Sequence, residues 1–234
     1  MKIILHKAKD RGSGEHGWLS TRYSFSFASW YEPSRMGFGA LRVINDDTIA
    51  PENGFGEHGH RDMEIVTIVT QGAVTHADSM GNHAEVKASE VQVMSAGTGV
   101  VHAERNGSPD TPLTLFQIWI EPKKLGIAPH YAQKAFDFAK PGETLLVSPD
   151  GEGGSLPMNQ VAYISQVNLV ENELFVYKIR KEGNGLYVFV IEGTVNIENY
   201  GLEDRDALGI TEASEVKIAS TTSARLLLFE VPLQ

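Results

Sequence analysis

Two segments of the chain carry side chains that can grip a metal ion. Gly54-Phe55-Gly56-Glu57-His58-Gly59-His60 sets two imidazoles two residues apart. In a strand, side chains at i and i+2 leave the same face, so His58 and His60 can hold one ion. Glu64 has the same parity and is a candidate to join them. Some forty residues on, Gly97-Thr98-Gly99-Val100-Val101-His102-Ala103-Glu104-Arg105-Asn106 offers a second same-face pair, His102 and Glu104. The chain has no cysteine, which removes thiolate zinc sites, iron–sulfur clusters, disulfides and cysteine nucleophiles together. Any metal must rest on imidazole and carboxylate. That donor set suits Fe(II), Mn(II), Ni(II), Cu(II) or Zn(II) rather than magnesium or calcium. Neutral imidazoles are required, so affinity is expected to fall below about pH 6.5. His6, His16, His76, His83 and His130 read as solvated or hydrogen-bonded imidazoles rather than ligands, and no histidine follows His130.

The elements that must position these groups are short. Runs of β-branched and aromatic residues recur at Leu41–Ile44, Met63–Thr70, Val91–Met94, Leu113–Ile120, Gln160–Val170, Leu186–Ile191, Val216–Ile218 and Arg225–Val231. Asn45-Asp46-Asp47, Met80-Gly81-Asn82 and Glu182-Gly183-Asn184-Gly185 read as turns between them. Such spacing predicts a β-sandwich or barrel. Gly126 to Gly142 is less strand-like and is read as a short helix and linker between two lobes. A weak internal repeat supports that division. Ile68-Val69-Thr70-Gln71-Gly72-Ala73-Val74 resembles Val190-Ile191-Glu192-Gly193-Thr194-Val195, and Ser89-Glu90-Val91 then falls near Arg205-Asp206-Ala207. This register puts Ile179 and Lys181 opposite His58 and His60, and Ile218 and Ser220 opposite His102 and Glu104. The second lobe is therefore expected to repeat the fold without metal ligands.

Composition narrows the partners. With 234 residues, 41% hydrophobic residues and 23 glycines, the chain can bury a core, and wholesale disorder is excluded. A net charge of -10, from 30 acidic against 20 basic residues, argues against direct nucleic-acid binding, which needs clustered Lys and Arg. Met1–Lys7 holds only three consecutive apolar residues, so it reads as neither a signal peptide nor a membrane span, and the expected location is cytoplasmic.

The motifs together resemble a known family. Gly56-x-His58-x-His60-x-x-x-Glu64, followed by Gly99-x-x-His102-x-x-x-Asn106, resembles the two cupin motifs and, more narrowly, those of the pirins. The likeness extends through Ser24–Ala28, Met36–Asp47, Asp62–Ile65, Met94–Gly99, Gln117–Ile120 and Leu146–Asp150; it is dense from about residue 10 to 122 and thinner beyond. It implies an all-β bicupin: two packed antiparallel β-barrel (jelly-roll) lobes joined by the short helical linker, with a metal-binding lobe over 1–125 and a linker and metal-free lobe over 126–234. It also implies one divalent ion, Fe2+ foremost with Mn2+, Ni2+, Cu2+ or Zn2+ as alternatives, ligated by His58, His60, His102 and Glu104. The family usually has proline where this chain has Gly59. General cupins use a glutamate at the position of Glu64 as ligand; the pirin pattern favours Glu104 and leaves Glu64 near the site. Phe25, Phe27, Trp30, Phe38 and Phe55 are candidates for an apolar pocket wall, while Arg61 and Asp62 read as solvent-facing.

The activity implied by the resemblance is that of a quercetin 2,3-dioxygenase. The metal binds the deprotonated 3-hydroxyl of a flavonol-like substrate, a carboxylate (Glu104, or less favourably Glu64) takes the proton, and O2 opens the ring with release of carbon monoxide. Two other functions stay open: an iron-dependent regulatory protein that contacts a transcription regulator or metabolic enzyme, and a cupin isomerase using zinc or manganese. A monomer is the favoured state, with a protein partner left open and no membrane contact expected.

Overall fold

The computed structural model describes residues 1–233. Four antiparallel-dominated sheets make two lobes. In the first lobe, seven strands ordered His130–Ala135, Glu90–Ser95, Glu64–Gln71, Leu113–Ile120, Leu41–Ile49, Leu19–Tyr23 and Gly12–Glu15 face four strands ordered Gly54–His60, Val100–Asn106, Ala73–Asp78 and His83–Lys87. The second lobe repeats this plan. Seven strands run Lys2–His6, Ala207–Thr211, Asn184–Glu192, Ala224–Pro232, Tyr163–Leu169, Gly142–Ser148 and Leu156–Pro157, against four running Leu174–Lys178, Glu215–Ser220, Val195–Ile197 and Tyr200–Leu202. The expected all-β, two-lobed architecture is therefore present. Among the described residues no helix is long and apolar enough to cross a membrane.

The two seven-stranded sheets pack against each other. Val66, Ile68, Phe116 and Ile118 of one share a buried cluster with Phe189, Ile191, Leu227 and Phe229 of the other. Both faces of these sheets are covered, so Glu64–Gln71 and Asn184–Glu192 are buried at successive residues rather than at alternate ones. Relative to a division between residues 125 and 126, two strands are exchanged. Lys2–His6 pairs with Ala207–Thr211 of the second lobe, and His130–Ala135 pairs with Glu90–Ser95 of the first.

Two local expectations are corrected. The 126–142 segment holds no helix; its middle is the edge strand His130–Ala135. Alanine, glutamine and lysine there carry a modest helical preference, but the free edge of Glu90–Ser95 supplies a full ladder, and pairing outweighs propensity. Asn45-Asp46-Asp47 is no turn either. It lies inside Leu41–Ile49, with strands on both sides. Its polarity has tertiary causes: the Asp46 carboxylate accepts from Arg205 at 2.7 Å, while Asn45 and Asp47 line the cavity described below.

The internal repeat holds in three dimensions. Gly72 and Gly193 both adopt left-handed backbone, as do Ser89 and Arg205, so the two turns at each repeat share one conformation. Strand pairing refines the register, however. Val74 stands opposite Asn106 and Val195 opposite Ser220, so His102 corresponds to Val216 and Glu104 to Ile218. His102 faces His58 and Val216 faces Tyr177, which moves the counterparts of His58 and His60 to Tyr177 and Ile179. For His58 and His60, the shift arises because the turn after Leu174–Lys178 is longer than the one after Gly54–His60.

Candidate metal centre

His58 and His60 leave one face of the strand Gly54–His60, as their spacing requires, and their rings lie 4.9 Å apart between centroids. The neighbouring strand Val100–Asn106 brings His102 directly opposite His58, with ring centroids 4.4 Å apart. Gly54 permits this close approach, since a Cβ there would collide with the backbone of Glu104 and Arg105. One nitrogen each from His58, His60 and His102 fall within 4.8 Å of one another. Glu104 lies two residues beyond His102 on the same face, although the pairing bulges between them. Its carboxylate falls in a second, overlapping group with His102 and His76. His102 is the junction of the two groups.

A donor set of this kind fits a divalent transition metal. The sharpest sign is His102 Nε2, a buried nitrogen with no hydrogen-bond partner. Such an atom is costly unless something occupies it. Burial first, then repulsion from His58, pushes His60 down to about 4. Burial first, then His58, His60 and His76, pushes His102 down to about 3. Both imidazoles are thus neutral at physiological pH with a lone pair to offer, and the acid limit expected near 6.5 moves down for these two. Gly59 is not demanded by the geometry, since a Cβ there would meet nothing closer than 3.9 Å.

Glu104 is buried and held from two sides. Gln117 Nε2 donates to its Oε2 at 3.0 Å, and the Thr67 hydroxyl lies 3.4 Å from its Oε1 and 3.2 Å from Gln117 Oε1. Burial, then the charge of Asp47, raises Glu104 to about 7. Asp47 is itself raised to about 7, chiefly by burial. Both carboxyls titrate near 4 in an unfolded chain, so between pH 4 and 7 the folded metal-free protein holds more protons than the unfolded one. Stability of the metal-free protein must then fall as pH rises through that window. In calorimetry, Asp47→Asn is expected to retain about 4 kcal/mol more stability than the parent at pH 8, roughly 12 °C in Tm, and to match it at pH 4. Equal pH slopes for the two proteins would refute the assignment.

The cavity beside these groups measures about 280 Å³ and is lined by Phe27, Asn45, Asp47, Phe55, His58, His60, Glu104, Gln117 and Trp119. Phe27 and Phe55 thus form part of the wall, as expected. Phe25 and Phe38 do not; they pack in the core between the lobes. Trp30 lies outside it, against Gly12 and a separate surface hollow. Trp119 is an addition, edge-on to His60 at 5.0 Å and to Phe27 at 5.3 Å. Asn45 Oδ1, Asp47 Oδ1 and Trp119 Nε1 are buried without partners. Arg61 is exposed, and Asp62 accepts the backbone N–H of Gly126.

Glu64 is turned away from this site. It accepts from Ser95 Oγ at 2.7 Å and from the backbone N–H of Asn159 at 3.0 Å, on the same side of its strand as Val66 and Ile68 of the core between lobes. Counting by twos from His60 fails because Asp62 takes left-handed backbone in the turn between the two strands. Of the remaining histidines, His6 is buried against the Tyr187 hydroxyl, and His16, His83 and His130 are exposed. His76 is buried beside His102, a placement its sequence context did not announce.

The second lobe carries apolar side chains at the matching interior positions. Tyr177, Val216 and Ile218 replace His58, His102 and Glu104. Val188, Leu228 and Val167 stand where Thr67, Gln117 and Asp47 stand in the first lobe. All six belong to one buried cluster.

Known proteins resemble this chain along nearly its whole length. The family described as Pirin matches residues 5–120, and the quercetinase C-terminal cupin domain matches residues 145–231. A protein of Escherichia coli K12 named quercetin 2,3-dioxygenase is 44% identical over 98% of this chain and 99% of its own length. A pirin-like protein of Caulobacter vibrioides is 41% identical over 97% and 99%. Among solved structures, the bacterial pirin YhhW from Escherichia coli in complex with nickel(II) superposes with a TM-score of 0.94 at 42% identity, covering 99% of both chains. Its lobes, its site and these matches together make the chain a member of the pirin family, built as a bicupin.

Proposed function

We propose that the chain is a metal-dependent dioxygenase of the quercetin 2,3-dioxygenase type, holding one divalent ion, Fe2+ foremost, on His58, His60, His102 and Glu104. The reading is supported by one observation: the nitrogens of His58, His60 and His102 lie within 4.8 Å of one another, His102 also adjoins the buried Glu104 carboxylate, and His58, His60 and Glu104 line a 280 Å³ cavity with an aromatic wall. The names of the relatives point the same way. A bound transition metal would supply Lewis acidity toward a substrate hydroxyl and redox chemistry toward O2.

The protein's own groups divide the remaining work. Phe27, Phe55 and Trp119 present flat apolar surface to a planar aromatic substrate. The unpartnered Asn45 and Asp47 oxygens accept from hydroxyl groups, and the Trp119 N–H donates to a carbonyl or phenolate oxygen. Glu104, the carboxylate on the cavity wall, takes the hydroxyl proton. Gln117 and Thr67 hold its carboxylate in place while it does so.

Elemental analysis of anaerobically purified protein, followed by oxygen uptake and carbon monoxide release with quercetin, tests the reading. One ion per chain is expected, because the second lobe offers only apolar side chains and one tyrosine at the matching places. Two ions per chain, or full loading without oxygen uptake on any flavonol, would overturn it. The second result would leave a metal-dependent binding protein.

A further inference from the structure

His76 and Asp78 are not part of the cavity wall, yet both side chains are fully buried behind His102. They lie on the strand Ala73–Asp78, which pairs with Val100–Asn106 on the side away from His58. His76 Nε2 sits 3.0 Å from Asp78 Oδ2. The same carboxylate is anchored by the turn that follows: its Oδ1 accepts the backbone N–H groups of Met80 and Asn82 at 2.9 and 3.0 Å, and its Oδ2 accepts Asn82 Nδ2 at 2.8 Å. On the other edge of the ring, His76 Nδ1 faces Gln92 Nε2 at 3.2 Å and His102 Nδ1 at 3.5 Å. Tyr131 covers the ring, with centroids 5.0 Å apart.

We infer that Asp78 and His76 form a positioning pair that fixes His102 in the tautomer able to bind a metal through Nε2. A carboxylate only accepts, so the His76 proton facing it must reside on Nε2. His76 Nδ1 is then an acceptor, as the amide of Gln92 also requires. The single His76 Nδ1 lone pair is shared by the Gln92 amide at 3.2 Å and by His102 Nδ1 at 3.5 Å, and two facing lone pairs would repel, which favours the His102 proton on Nδ1. The lone pair of His102 is left on Nε2, the buried nitrogen that has no partner within the protein. A ligand histidine is commonly oriented by a direct bond to a carboxylate or carbonyl. Here a second imidazole is interposed. In the second lobe Ile197 occupies the place of His76, inside the apolar cluster.

The inference rests on the proposed role of His102 as ligand, and the test separates the two. Asp78→Asn is nearly isosteric and keeps an oxygen for the turn N–H groups. Its amide would donate to His76 Nε2, move that proton to Nδ1, and so move the His102 proton to Nε2. Nitrogen-15 histidine spectra of the metal-free parent are expected to show His102 protonated on Nδ1, and those of Asp78→Asn on Nε2. Nickel(II) affinity, by competition titration at a temperature where both proteins are folded, is expected to fall about 10- to 100-fold in Asp78→Asn. His83→Gln, at an exposed site on the adjoining strand, should bind nickel like the parent. On loading with zinc(II), His102 Nε2 should take a coordination shift and His76 none. Parent His102 protonated on Nε2, unaltered nickel affinity in Asp78→Asn, or a coordination shift at His76 would each overturn the inference. If the parent binds neither metal, the ligand assignment fails, whereas the metal-free spectra still decide the tautomer.

Discussion

His60→Ala is expected to give a folded protein that retains less than roughly a tenth of an ion per chain. The ring closes the end of the strand Gly54–His60, between Trp119 and the two other imidazoles. Removing it leaves His58 and His102 with Glu104, and a site reduced by one neutral donor must compete with water for the ion. The side chain is only half-buried and makes no hydrogen bond within the protein, so truncation leaves behind no stranded polar partner. Melting temperature of the metal-free variant should therefore stay near that of the metal-free parent, while the increase on adding metal should vanish. Unchanged metal content in His60→Ala would show that the site is misassigned.

Glu104→Gln should damage turnover beyond its effect on metal loading. The amide preserves size and can still contact Thr67 and Gln117, but it cannot accept the substrate's proton. Loss of a general base commonly costs about 10²- to 10⁴-fold, so kcat per bound ion should drop by at least about 10². Glu64→Gln provides the contrast. Glu64 lies on the far face of its strand, and its replacement should leave kcat per ion unaltered while weakening a buried pair of hydrogen bonds, at a cost of about 1–3 kcal/mol. In the parent, rate should fall on the acid side as Glu104 and then the imidazoles take up protons. Equal kcat per ion in Glu104→Gln and the parent would remove Glu104 from the proton transfer.

The legible part of this protein is the part set by covalent geometry over a few residues. Two histidines two apart share a face of any strand, and His102 and Glu104 do likewise, so each pair could be read before its strand was placed. Gly72 and Gly193 reported a repeated turn because both need left-handed backbone, a local demand. The same reasoning failed once a turn intervened. Glu64 kept its parity in the count and lost it at Asp62. It also failed where polarity had a distant cause. Asn45-Asp46-Asp47 looked like a turn, but burial between two strands assigned Asp46 to an arginine of the other lobe and its neighbours to the cavity. His76, Asp78, Gln92 and Trp119 bear no motif at all. Their roles depend on which strands lie side by side, and that is decided by long-range burial: the seven-stranded sheets must cover each other, and the strands bearing the imidazoles must then face the remaining open side. Residue type and spacing therefore determined which side chains could bind a metal, whereas only tertiary packing decided which groups surround, orient and desolvate them.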